Sequence, residues 1–128
     1  MRPRANKYLR DILDAALLVT QFVNDKSFAE YDSDVLLRSA VERQMTILCE
    51  AMAQLSGHDQ SLAALITDHD AVIGMRIVLV HRYADLDNRR IWSTITLSLP
   101  ILIREVTDLL ERDDRPPGAG ACLDPVPR

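Results

Sequence analysis

A chain of 128 residues and 14.4 kDa has room for one domain and one hydrophobic core. Hydrophobic residues make up 48% of it, which excludes a disordered chain, and only 4 glycines argue against a sheet-rich fold full of tight turns. The net charge of −4, from 19 acidic and 15 basic residues, speaks against nucleic-acid binding by bulk charge. Two cysteines, Cys49 and Cys122, are too few and too far apart for a disulfide scaffold or a zinc site, so a reducing cytoplasm is the expected compartment.

The start, Met1-Arg2-Pro3-Arg4, is basic, but Arg10, Asp11 and Asp14 interrupt the apolar run behind it, so no export signal is expected. No stretch reaches the roughly 20 apolar residues of a membrane span. From Ala5 to Val23, Leu9, Ile12, Leu13, Ala16, Val19 and Val23 recur at three- and four-residue steps, the spacing of an amphipathic helix. Asn24-Asp25-Lys26 breaks it. Ser27-Phe28-Ala29-Glu30 has the form of a capping box opening a short turn, and Asp32-Ser33-Asp34 supplies a second start signal.

A second long stripe, from Val35 to Leu55, carries Leu37, Ala40, Val41, Leu48, Ala51, Met52 and Leu55, with Ser56-Gly57 as its expected stop. Ser61 to Ile66 forms one or two helical turns. Asp68-His69-Asp70 then caps a third helix bearing Val72, Ile73, Met75 and the run Ile77-Val78-Leu79-Val80. That β-branched run has strand propensity, but no other segment offers it a strand partner, so helix is preferred. Asp85-Leu86-Asp87-Asn88 reads as a turn with an N-cap. The last helix buries Ile91, Trp92, Ile95, Leu99, Leu102, Ile103, Val106, Leu109 and Leu110, with Pro100 expected to kink or split it.

Four principal helices with short connections predict an all-α, up-and-down four-helix bundle over residues 1–112, its last helix kinked. The tail 113–128 holds four of the six prolines and two of the four glycines, and is expected to be disordered.

The chemistry is expected between Arg76 and Arg90. Four arginines (Arg76, Arg82, Arg89, Arg90) against two aspartates (Asp85, Asp87) give this segment +2, which leaves −6 for the rest of the chain. A phosphate backbone is drawn to such a patch even on an acidic protein, so Arg82, Arg89 and Arg90 are candidate phosphate contacts. At about 100° per residue, Arg76 and Tyr83 share a side of a helix while His81 is rotated away. Two copies facing each other would bring an Arg and a His from each chain into one groove. The plainer alternative makes these solvated charges at a helix end, with His81 favoured by the helix dipole. No phosphate loop, metal triad or nucleophile–base pair is visible, so no metal or cofactor is expected. Asp68-His69-Asp70 is read as a cap rather than a metal cluster, His58 as an exposed loop residue, Glu50 as a satisfied polar group, Trp92 and Met52 as core, and Cys49 as a small packed hydrophobe.

Arg76, four residues, His81, one residue, Tyr83 resembles the signature of the HepT-like toxins of the HEPN superfamily: Arg, four to six residues, His, one residue, Tyr. The flanks are similar too. Tyr8-Leu9-Arg10-Asp11-Ile12-Leu13 looks like the family's opening helix. Ala40-Val41-Glu42-Arg43-Gln44 and Ile47-Leu48-Cys49-Glu50-Ala51 look like its second, with Cys49 where Gly is usual. Gly74-Met75-Arg76, Tyr83 through Asp87, Ile91-Trp92 and Leu99-Pro100 follow in order, so the resemblance covers roughly residues 7 to 110.

The resemblance implies a homodimeric, metal-independent endoribonuclease toxin. Arg76 and His81 would be catalytic. The implied partner is a small nucleotidyltransferase (MNT-type) antitoxin that silences the toxin by transferring AMP to Tyr83. Cleavage without metal needs a base, an acid and positive charge on phosphorus, which His81 and Arg76 supply if two chains meet. Ile77 departs from the family pattern, in which a polar residue, often Asn, follows the motif arginine. That departure keeps a second expectation open: a helical module that binds the nucleotidyltransferase without cleaving RNA.

Overall fold

The computed structural model describes residues 3–80 and 85–114, with the side chains of 80, 85–87, 113 and 114 excepted. Among the described residues every regular element is helical. The first, α1 (Pro3–Val23), buries Ala5, Leu9, Ile12, Leu13, Ala15, Ala16 and Val19. It ends as the asparagine–aspartate break requires. Asp25 takes a φ of 62°, a left-handed conformation that Asp tolerates better than most side chains, and Lys26 N–H donates to the Val23 carbonyl at 2.9 Å.

The capping box is present on α2 (Phe28–Ser33). Ser27 Oγ accepts from Glu30 N–H at 3.1 Å, and Glu30 Oε1 accepts from Ser27 N–H at 2.7 Å. Asp34 Oδ1 accepts from Leu37 N–H at 3.1 Å and so starts α3 (Val35–His58). The expected stop at Ser56-Gly57 is corrected here. A glycine inside a helix costs only about 1 kcal/mol against Ala, and α3 runs through it to His58. Asp59 makes the break, accepting Leu62 N–H at 3.0 Å to cap α4 (Gln60–Ala63).

The β-branched run is helical, in α5 (His69–Val80), as the lack of a strand partner predicted. Asp68 precedes it at a φ of 57°, and its carbonyl accepts from Val72 N–H at 3.0 Å. The final helix is in two parts, α6 (Asp85–Ser93) and α7 (Leu99–Asp114), joined by a π-helical turn at Thr94–Ser98. Pro100 accounts for the irregularity. It has no N–H to donate, and its ring crowds the carbonyl four residues back, which the wider π turn relieves. Helix α7 reaches Asp114, two residues past the expected boundary, and the tail 115–128 lies outside the described residues.

Helix α3 packs between α1 and α5, and α1 also packs on α7. Its buried residues suit that place. Val41, Met45, Leu48, Met52 and Leu55 form one stripe, and Cys49 and Ala51 widen it into an arc that serves two neighbours. Thr67, just before α5, donates its N–H and its hydroxyl to the Glu105 carboxylate on α7 at 2.8 and 2.6 Å. That bidentate contact ties the entry of α5 to the opposite helix. No helix of the described residues is long and apolar enough to cross a membrane.

Candidate functional site

Val72, Met75 and Val78 are buried at three-residue steps, which holds one side of α5 on the core. Arg76 follows Met75 at the edge of that side. Its Nη1 lies 3.5 Å from Glu50 Oε2 of α3, with the two side chains 43% and 55% exposed. Glu50, expected as a satisfied polar group, has the motif arginine as its partner. At this distance and exposure the pair is a water-screened contact, about 0–1 kcal/mol in stability. It sets a carboxylate beside one nitrogen of a guanidinium that has five N–H donors.

Beside Glu50, the Cys49 side chain is fully buried. Burial pushes its thiol from an ordinary 9.0 up to about 12, although the charge of Arg76 pulls the other way. The thiol therefore holds its proton at neutral pH and offers no nucleophilic thiolate, which agrees with its reading as a small packed hydrophobe.

Arg76 and Glu50 line an open groove of about 330 Å³ bounded by α1, α3 and α5. Arg4 and Tyr8 come from the first turns of α1. Glu50, Ala53, Gln54, Gly57 and His58 come from α3, at the spacing of a single helix face. His58 is thus the last residue of a helix, not a loop residue, and its exposed ring meets Tyr8 edge to face with centroids 6.1 Å apart. Sequence reasoning gave Arg4, Tyr8 and His58 no role. Nothing local marks them, because they are assembled by the register of α1 against α3.

The other candidates lie apart from this groove. Arg89, on α6, stacks over Phe28 with Cζ 4.2 Å from the ring centroid. Phe28 and Tyr31 in turn pack on Trp92, at centroid distances of 6.3 and 5.2 Å. Asn88 Nδ2 donates to Asp32 Oδ1 at 2.9 Å, a further tie between α2 and α6. One face of the Arg89 guanidinium is therefore used inside the chain. Arg90 is exposed on α6. Ile77 is 68% exposed beside Arg76. His81, Arg82 and Tyr83 lie outside the described residues. His69 Nε2 sits 3.3 Å from Asp70 Oδ1 at the start of α5, and no group of three or more potential ligands that could hold a metal ion occurs among the described residues.

The family model described as "Ribonuclease HepT-like" matches residues 12–109. "Putative RNase TTE0752" of Caldanaerobacter subterraneus is 28% identical over 106 residues, covering 83% of this chain and 94% of that protein. "Probable ribonuclease HepT" of Thermococcus cleftensis is 28% identical over 102 residues, covering 80% and 92%. "Putative RNase MJ1380" of Methanocaldococcus jannaschii is 26% identical over 99 residues, covering 77% and 90%. No solved structure gives a significant match.

Proposed function

The chain belongs to the HepT-like ribonuclease family, and from that premise we propose that it is a metal-independent endoribonuclease acting as the toxin of a toxin–antitoxin pair in the cytoplasm. The observation that carries the reading is the span of the family match, which encloses the whole of Arg76, His81 and Tyr83. The working unit is a homodimer of helical bundles. With one motif histidine per chain, a base and an acid require two copies facing each other.

One His81 removes the proton of the ribose 2′-hydroxyl, whose oxygen attacks the adjacent phosphorus. The 5′-oxygen leaves as the P–O bond breaks and takes a proton from the partner's His81. A 2′,3′-cyclic phosphate and a free 5′-hydroxyl result. Arg76 carries the positive charge that the pentacoordinate phosphorane needs, and its guanidinium can give two parallel donors to one phosphate. Arg82, Arg89 and Arg90 hold neighbouring phosphates. The antitoxin is a nucleotidyltransferase that transfers AMP from ATP to the Tyr83 oxygen and releases pyrophosphate. The adenylate then sets bulk and negative charge where RNA phosphate must lie.

The 68% exposure of Ile77 supports a second reading. An apolar side chain standing in water beside the motif arginine suits a protein contact better than a phosphate site, as expected of a member that binds its nucleotidyltransferase without cleaving RNA. Expression in cells separates the two. The first reading predicts growth arrest, its loss in Arg76→Ala, and its relief by a co-expressed cognate nucleotidyltransferase with whole-adenylate mass increments that vanish in Tyr83→Phe. Harmless expression, with no increment beside an active nucleotidyltransferase, overturns it.

A further inference from the structure

The groove beside Arg76 holds more chemistry than cleavage requires. Its walls carry two guanidinium groups (Arg4 and Arg76), one carboxylate (Glu50) and a ring pair (Tyr8 and His58), all opening into about 330 Å³. We infer that it is a recognition subsite for one nucleotide of single-stranded RNA next to the bond that is cut.

Four features argue for that occupant. The volume falls at the small end of ligand-sized sites, about 300–1,000 Å³. A basic groove with aromatic side chains is what single strands use, since charge follows the backbone and rings accept any base face. The arginines outnumber the carboxylate on a chain of net charge −4, so the groove is a local exception to its surroundings. Finally, Arg76 lines the same groove as Tyr8 and His58, so a nucleotide whose phosphate Arg76 holds has the two rings within the same groove. Glu50 does not oppose this, because its contact involves one nitrogen of a guanidinium that carries five N–H donors. In this arrangement Arg4 takes the phosphate on the far side of the bound base. The rings of Tyr8 and His58, set at 74° to each other, form a corner in which the base stacks.

The inference rests on the ribonuclease reading for its ligand class, and the test keeps the two separable. Gly57 lines the groove, and a Cβ built there meets nothing within 4 Å. Gly57→Leu therefore fills the groove while improving helix propensity, so the fold is kept. Binding is measured by fluorescence anisotropy, using full-length His81→Ala protein and a labelled single-stranded oligoribonucleotide. Adding Gly57→Leu, or Tyr8→Leu with His58→Leu, is expected to weaken binding about fivefold to a hundredfold, the range of one lost base stack. Unfolding curves check that each variant remains folded. Unchanged affinity in Gly57→Leu, or no RNA binding by the parent protein, overturns the subsite. If wild-type protein fails to cut RNA while the groove variants still lose binding, the nuclease reading falls and the groove stands as a single-stranded RNA-binding site.

Discussion

Cys49 lets the packing of α3 beside the motif arginine be tested by pH alone. In the folded chain its buried thiol keeps a proton until about pH 12, whereas the unfolded chain releases it near 9.0. Between those values the unfolded state binds fewer protons, so stability is fully present below pH 9 and is lost as pH rises. At pH 10 the loss is about 1.4 kcal/mol relative to neutral pH, approaching about 1.4 kcal/mol for each further unit until the folded thiol itself ionises. The measurement is urea unfolding at pH 8 and pH 10 in a Cys122→Ala background, with and without Cys49→Ala. Tyrosine and lysine ionisations are common to both proteins and cancel in the difference. Cys49→Ala is expected to lose about 1.4 kcal/mol less than its parent over that interval. Equal losses would refute the burial of the thiol.

Leu48→Ala, at a fully buried position of α3, should cost about 2–5 kcal/mol in urea unfolding. A loss under 1 kcal/mol would contradict the central place of that helix. Ser27→Ala removes the oxygen that caps α2 and should cost about 1 kcal/mol. Glu30→Gln retains a capping-box acceptor and should cost less, which calorimetry of the two variants compares directly. Arg89→Ala should weaken RNA binding at low salt and lower its salt dependence, since one phosphate contact is removed. It should also loosen α2 by about 0.5–1 kcal/mol through the lost stack on Phe28.

The helices were legible wherever local chemistry decides them. The capping box at Ser27, the break at Asp25 and the disturbance ahead of Pro100 each follow from a side chain acting on backbone within one turn. Gly57 misled because a glycine near a helix end is ambiguous. The capping carboxylate of Asp59, two residues later, is what ends α3. The motif itself was readable as spacing. Its surroundings were not, because Glu50 reaches Arg76 only through the register of α3 against α5, and Tyr8 reaches His58 only through that of α1 against α3. Long-range register leaves no mark in a single sequence, so the groove became visible only in three dimensions.

RNA cleavage by purified protein tests the central claim most directly. Wild-type, Arg76→Ala and His81→Ala proteins are incubated with single-stranded RNA in excess EDTA, and the product ends are identified by mass. The account predicts cleavage by wild type without metal, fragments ending in 2′,3′-cyclic phosphate, and a rate lower by about 10²-fold or more in His81→Ala. A His81→Ala protein that cuts RNA at the wild-type rate would contradict it.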